Sequence, residues 1–104
     1  MNSDREYYAV IFMTRLSNSE EGYEEMNQKM IELAKQQNGF IGIESARSEV
    51  GITVSYWESL ESIKNWKLNA EHTLARNLGR AKWYTSYDLK ICKVVSAYNF
   101  NKED

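Results

Sequence analysis

The sequence predicts an α+β fold in which four strands and two helices follow one another in the order β-α-β-β-α-β. Three observations support this prediction. Two stretches place apolar residues at the three-and-four spacing of a helix face. Four stretches are rich in β-branched and aromatic residues, and short polar or glycine-containing segments separate them. This order is typical of the ferredoxin-like plan, in which helices cover one face of an antiparallel sheet.

The four predicted strands are the segments in which aromatic and branched residues concentrate. They cover residues 5–13, 40–47, 52–57 and 87–98. A short turn around residues 49–51 joins the second strand to the third, as expected for an antiparallel pair.

The two helices are predicted from their caps and their apolar faces. Ser17–Ser19 offer caps for the first helix. Residues 38–39 (Asn-Gly) supply the left-handed residue that ends it. Its apolar face consists of Tyr23, Met26, Met30, Leu33 and Ala34. Ser59 or Ser62 caps the second helix and Gly79 interrupts or ends it. Its apolar stripe is Leu60, Ile63, Trp66, Ala70 and Leu74.

Length and composition restrict the classes of protein to consider. The 104 residues predict one domain spanning residues 1–104, with 42% hydrophobic and 27% charged residues. A net charge of −2 without a basic stripe argues against nucleic-acid binding, and no apolar run approaches the roughly 20 residues of a membrane span. The first residues lack the features of a secretory signal, and Cys92 is the one cysteine. We therefore expect a cytoplasmic, metal-free protein.

The first strand is apolar on both faces, although a sheet with one wet face alternates apolar with polar residues. One face carries Tyr7, Ala9, Ile11 and Met13, and the other carries Tyr8, Val10 and Phe12. Helices can cover one of these faces only. We therefore expect a homodimer whose sheets pack face to face.

Three segments together resemble the antibiotic biosynthesis monooxygenase (ABM) superfamily, over about residues 7–100. They are GFIGIESAR, GITVSYWESLESIKNWKLNAEH, and GRAKWY with a last strand ending in VVSAYNF. The resemblance implies a dimeric α+β barrel. Characterised members include cofactor-independent oxygenases of aromatic polyketide and quinol substrates, and heme-degrading enzymes. It therefore implies a cofactor-independent monooxygenase acting on a small aromatic or quinol-like compound.

One polar ribbon on the second helix carries the candidate site. Asn65, Asn69, His72 and Arg76 are spaced four, three and four residues apart. Trp66 precedes His72 by six residues, about 120° around the helix axis. The ribbon is either one edge of a pocket between helix and sheet, or a solvated surface with Trp66 in the core.

The functional interpretation assigns catalytic roles to three of these residues. His72 would remove the proton of a phenol or quinol, since an unperturbed imidazole has a pKa of about 6.5. Asn69 would donate a hydrogen bond to the oxyanion. Trp66 would form the flat wall that orients the aromatic ring.

Further residues are candidates for substrate binding. Asn65 and Arg76 belong to the ribbon, and Tyr8 and Phe12 line a cavity unless they only pack in the core. Glu44, predicted on the same face as residues 40 and 42, is either a pocket carboxylate or a partner of Arg47.

Two alternatives remain open at the level of sequence. Heme-degrading relatives carry an Asn at the end of the first strand, a Trp on the second helix and a heme-ligating His nearly three turns later. The matching positions here are Thr14, Trp66 and Arg76, and His72 comes too early, so we expect no heme. In the other alternative, the pocket belongs to a non-catalytic module, small-molecule-binding or stress-related, that holds its ligand without turnover.

Overall fold

The computed structural model describes residues 6–16, 23–76 and 84–102; the side chains of residues 23, 71–76 and 84–85 lie outside this description. The observed order confirms the predicted one. The elements are β1 (Tyr7–Leu16), α1 (Tyr23–Lys35), β2 (Phe40–Arg47), β3 (Gly51–Trp57), α2 (Leu60–Arg76) and β4 (Tyr84–Val94).

The four strands form one sheet in the order β2-β3-β1-β4, and every neighbouring pair is antiparallel. β1 therefore lies inside the sheet, between β3 and β4. In β1, Val10 is opposite Ser55 of β3 and Ile91 of β4. Because directly opposed residues in antiparallel strands share a face, this register assigns every strand residue to one side of the sheet.

The core lies between the helices and the face of β1 that carries Val10. Its buried cluster is Val10, Ala34, Trp57 and Ile63, against which Tyr8, Phe40, Trp66 and Leu89 pack. The cluster therefore draws one small residue from α1, one branched residue from α2 and residues from the sheet. Of the two apolar faces of β1, the helices cover the one with Tyr8 and Val10.

The opposite face of the sheet is apolar in its centre and carries no described helix. On it lie Tyr7, Ala9, Ile11 and Met13 of β1, Val54 and Tyr56 of β3, and Cys92 and Val94 of β4, together with the charged Asp88 and Lys90 of β4. We call this set the helix-free face. The rings of Tyr7 and Tyr56 lie 6.1 Å apart on it. This is the face for which the sequence predicts a partner subunit, and the dimer stays a prediction.

The connection from α1 to β2 depends on Gly39, which has a φ of +88° as predicted for the left-handed stop. Its carbonyl accepts a hydrogen bond from the Glu58 amide at 2.8 Å. A Cβ atom at this position would lie 2.5 Å from Oγ and 2.6 Å from Cβ of Ser62. Gly39 thus allows the turn and the close approach of the start of α2.

The last strand begins and ends earlier than the predicted range 87–98. β4 runs from Tyr84 to Val94, and the following residues 95–102, which we call the arm, are not in a strand. The reason is pairing: β1 is the only described neighbour of β4, and their ladder ends where Tyr7 pairs with Val94. Apolar residues continue in the sequence past Val94, but within the described residues β1 offers no further residue with which they could pair.

Candidate functional site

Two tryptophans form the centre of the candidate site. Trp57, the last residue of β3, is 0% exposed, and its ring lies 5.4 Å from that of Trp66 on α2, at an interplanar angle of 34°. Phe40 packs edge-on against the same Trp57 ring, with centroids 5.4 Å apart. The three rings form an aromatic wall between α2 and the sheet.

The two indole N–H groups of this pair differ in their hydrogen bonding. Nε1 of Trp57 donates to Oγ of Ser55 at 2.9 Å, and both side chains are buried. Nε1 of Trp66 is also buried, but has no acceptor among the described residues. A buried donor left unpaired costs roughly 1–3 kcal/mol. Trp66 therefore presents a donor that an acceptor atom on a bound molecule would satisfy.

The start of α2 sets the direction in which Trp66 points. The Ser62 amide donates to Oγ of Ser59 at 3.0 Å, and the Ser59 amide donates to Oγ of Ser62 at 3.2 Å. This is a reciprocal capping box with serine in the position usually held by Glu or Gln. Both candidate caps are therefore used. Ile63, buried one position later, turns this side of α2 to the core and places Trp66 against Trp57.

The polar ribbon of α2 is described in part. Asn65 is exposed, and so is Asn69, whose Nδ2 donates to Oε1 of Gln37 at 3.3 Å. The backbones of His72 and Arg76 lie in α2, but their side chains lie outside the described residues. The contact of Asn69 with Gln37 joins α2 to the segment after α1. The catalytic role of His72 remains a prediction.

Tyr8 and Phe12 both lie on the helix-covered side of β1, on the same side as Trp57. Tyr8 packs against the core cluster and its hydroxyl donates to Oε1 of Glu6 at 3.4 Å. Phe12 packs against Tyr87, with ring centroids 5.6 Å apart. Both residues are half-buried. Their position leaves core packing and cavity lining both open.

The predicted common face for Glu44 and Phe40 is wrong. Phe40 is opposite Trp57, but Gly42 is opposite Tyr56, so a bulge at Ile41 interrupts the alternation. Phe40 therefore faces the core, while Glu44, opposite Val54, is exposed on the helix-free side. A role for Glu44 in substrate binding stays a prediction, but on the side of the sheet away from Trp66.

The structure gives Arg47 a partner, Thr14, that the sequence does not predict. Arg47, opposite Gly51, lies on the helix-covered side, and its Nη2 donates to Oγ1 of the buried Thr14. A side chain at Gly51 would overlap the guanidinium. A glycine paired across the turn from a long side chain leaves room for that side chain to lie over the strand. The positions of Arg47 and Gly51 on either side of the predicted turn were the feature of the sequence that could have indicated this arrangement.

A polar cavity of about 200 Å³ lies beside Arg47, at the opposite end of β3 from Trp57. Its lining residues are Glu24, Asn27, Ser45, Ala46, Arg47, Gly51, Ile52 and Thr53. Within the described ranges, no three His, Cys, Asp or Glu side chains are grouped as a metal site requires. None of the described helices is long and apolar enough to cross a membrane.

Solved structures with this arrangement of strands and helices define the class of fold. A variant of SnoaB, a cofactor-independent oxygenase from Streptomyces nogalater, superposes with a TM-score of 0.68 at 11% identity, over 88% of this chain and 95% of that one. A variant of MhuD with two manganese protoporphyrin IX groups bound per active site superposes with a TM-score of 0.63 at 19% identity, over 89% and 99%. The protein therefore has the same α+β ferredoxin-like fold as these structures.

A relative with much higher identity defines the family. The chain is 46% identical over 90 residues to YqjZ of Bacillus subtilis (strain 168), an uncharacterized protein; the match covers 85% of this chain and 79% of YqjZ. No protein-family model matches the chain. The chain therefore belongs to the same family as YqjZ.

Proposed function

We propose that the protein is a cofactor-independent monooxygenase whose substrate is a small aromatic or quinol-like compound bound against Trp66. The observation that carries the proposal is the buried indole N–H of Trp66, which has no acceptor among the described residues and lies beside a second indole. The fold shared with the oxygenase SnoaB supports the reaction class.

The Trp66 ring and its N–H group match two features of such a substrate. A flat aromatic face favours stacking of a second ring. The N–H group would donate to a phenolate or carbonyl oxygen, and the unpaired donor would then gain a hydrogen bond. Both features select an aromatic molecule that carries an oxygen acceptor.

Proton removal is assigned to His72, six residues or about 1.7 turns after Trp66 on α2. Deprotonation converts a phenol or quinol into an electron-rich anion, which can transfer electrons to dioxygen. Asn69 would donate to the resulting oxyanion by exchanging its present contact with Gln37. Tyr8 and Phe12 would line the sheet side of the pocket, and Asn65 and Arg76 its rim.

The proposal includes no heme, although MhuD binds a porphyrin. In the heme-degrading pattern, the end of β1 supplies an asparagine amide. Here that position is Thr14, which is buried and accepts a hydrogen bond from Arg47. A short hydroxyl engaged in this way does not fit the role. The proposal also keeps a single domain over residues 1–104, a homodimer and a cytoplasmic location.

Oxygen uptake with a panel of phenols and hydroquinones tests the proposal. The rate should rise with pH through an apparent pKa within about one unit of 6.5. His72→Ala should slow turnover about a hundredfold or more, and Trp66→Phe should chiefly weaken binding because it removes no proton acceptor. Lys67→Ala, at an exposed position of the same helix, is the matched control and should behave as wild type.

A more acidic phenol, already ionised at the assay pH, separates a base from a merely positioning residue. His72→Ala should recover most of its activity with that substrate, and an equal defect with both substrates contradicts the base role. If wild type binds a phenol without consuming oxygen, the binding-module alternative replaces the enzyme. A stoichiometric Soret band with hemin that is lost in His72→Ala would establish the heme alternative instead.

A further inference from the structure

We propose that the polar cavity beside Arg47 is a second binding site, and that its ligand is a free amino acid held by its carboxylate and its ammonium group. The cavity lies between the first turns of α1 and the ends of β2 and β3 that adjoin residues 48–50. Gly51 and Trp57 stand at opposite ends of β3, about 20 Å apart at roughly 3.3 Å per residue. The cavity is therefore separate from the aromatic wall and from the proposed oxygenase site.

The sheet contributes polar side chains to this cavity from the side that the helices cover. Ser45 is opposite Thr53 and Arg47 is opposite Gly51, and all four lie on the same side as Trp57 and the core. The covered side of an antiparallel sheet is normally apolar. Thr53 is half-buried, whereas Ser45 and Arg47 are exposed, so the cavity opens to solvent. Polar side chains in this place favour binding of a polar molecule over packing.

The first turns of α1 form the other wall. Glu24 and Asn27 are three residues apart, so they share one face of the helix, and both line the cavity. Within the described ranges, no hydrogen bond or ion pair engages the side chains of Glu24, Asn27, Ser45 or Thr53. One carboxylate, one amide and two hydroxyls around one cavity can therefore bind a ligand.

Thr14 and Gly51 hold the guanidinium of Arg47 in place on the sheet wall. Nη2 of Arg47 donates to Oγ1 of the buried Thr14, and the absence of a side chain at Gly51 gives the guanidinium its space. Guanidinium groups present their donors in a rigid planar fork that matches a carboxylate. A group fixed in advance loses less conformational freedom when it binds. We therefore assign the carboxylate of the ligand to Arg47.

The charges of the lining residues decide the class of ligand. The cavity carries one cation, Arg47 from the sheet, and one anion, Glu24 from α1. A simple anion would be attracted by the first and repelled by the second, whereas a zwitterion gains from both. The volume of about 200 Å³ is below the roughly 300–1,000 Å³ of sites for drug-sized molecules. A free amino acid has both the charges and the small size that this cavity requires.

Titration of the full-length chain with the neutral protein amino acids, followed by amide chemical shifts, tests the proposal. The amino acid that binds most tightly is then compared with its N-acetyl derivative, which lacks the ammonium group, and its amide, which lacks the carboxylate. The zwitterion should bind at least tenfold more tightly than either derivative, because each derivative loses one charged contact. If none of the amino acids binds, or if the N-acetyl derivative binds as tightly as the zwitterion, the proposal is overturned.

Substitutions on the two walls assign the contacts. Arg47→Gln and Glu24→Gln should each weaken binding of the amino acid at least tenfold. Glu24→Gln should also bind the N-acetyl derivative more tightly than wild type does, since the repelling carboxylate is gone. Glu25→Gln, at the next position of α1 and outside the cavity lining, is the matched control and should stay within about twofold of wild type. Circular dichroism checks that each variant is folded.

Two results with these variants would exclude this cavity as the amino-acid site. One is unchanged binding in Arg47→Gln. The other is a loss of binding in Trp66→Phe, which would place the ligand at the aromatic wall instead. Binding is measured without turnover, so a protein that consumes no phenol can still bind the amino acid, and an active oxygenase can fail to bind it.

Discussion

At the scale of single residues, the two neighbouring tryptophans have different roles: the indole N–H of one stabilises the fold, and that of the other is available to bind a ligand. The Trp57 N–H is paired with Ser55 inside the core, whereas the Trp66 N–H has no acceptor in the described part of the chain. The two rings are in contact, but Trp57 is fully buried whereas Trp66 is half-buried. We therefore expect Trp57 to matter for stability and Trp66 for ligand binding.

Ser55→Ala tests the structural half of this difference. The substitution leaves the Trp57 donor buried without an acceptor, so the free energy of unfolding should fall by about 1–3 kcal/mol. Urea titration measures it. In a Trp57→Phe background the same substitution should cost much less, because the donor is already gone. An equal cost in both backgrounds would show that the hydrogen bond between Ser55 and Trp57 does not stabilise the fold.

At the scale of elements, the connection after α1 and the cap of α2 depend on each other. Gly39 has a positive φ and lies against Ser62, while Ser62 forms the capping box with Ser59. The turn and the cap thus meet at one contact. This contact, together with the hydrogen bond from the Glu58 amide to the Gly39 carbonyl, places the start of α2 and so directs Trp66 towards Trp57.

Gly39→Ala should lower the free energy of unfolding by about 2 kcal/mol or more. The left-handed conformation alone costs a residue with a Cβ about 1–2 kcal/mol, and the new atom would also displace Ser62. Gly42→Ala is the control, because nothing lies within 4 Å of a Cβ there. Thermal or urea unfolding of the two variants measures the difference. If both lose equal stability, the contact with Ser62 is not what requires glycine.

At the scale of the whole molecule, helices cover one face of the sheet, while the other face is apolar in its centre and carries no described helix. Val10 is 1% exposed under the helices, while Ile11 lies in the middle of the helix-free face beside Val54. A homodimer would bury that second face, as the sequence predicts. Substitutions at the adjacent residues Val10 and Ile11 therefore test folding and dimer formation separately.

Val10→Asp should unfold the chain, because it buries a charge with no partner in the core. Ile11→Asp should leave the chain folded and break the dimer. Sedimentation of wild type at micromolar concentration should give twice the chain mass of 12.2 kDa, and circular dichroism reports the fold. Leu68→Asp, at an exposed apolar position of α2, is the control and should remain dimeric. A dimeric Ile11→Asp variant would exclude the helix-free face as the interface.

The sequence by itself determined the order of elements, the ferredoxin-like class, the glycine stop at Gly39 and the two serine candidates, Ser59 or Ser62, for the cap of α2. These features are local. A helix face, a cap or a turn depends on residues within about four positions of each other, and the sequence shows those directly. The resemblance to the ABM superfamily rested on similarly short segments, such as the one from residue 51 to residue 72.

Only the tertiary structure decided the features that depend on pairs distant in sequence. Both faces of β1 are apolar, so packing alone assigned Val10 to the core. The bulge at Ile41 moved Glu44 to the other side of the sheet, and β4 ended at Val94 because its ladder with β1 ended there. Ser55 satisfies the Trp57 donor and leaves that of Trp66 open. Each of these features depends on contacts between residues that are distant in sequence. The periodicity of a single segment does not predict such contacts.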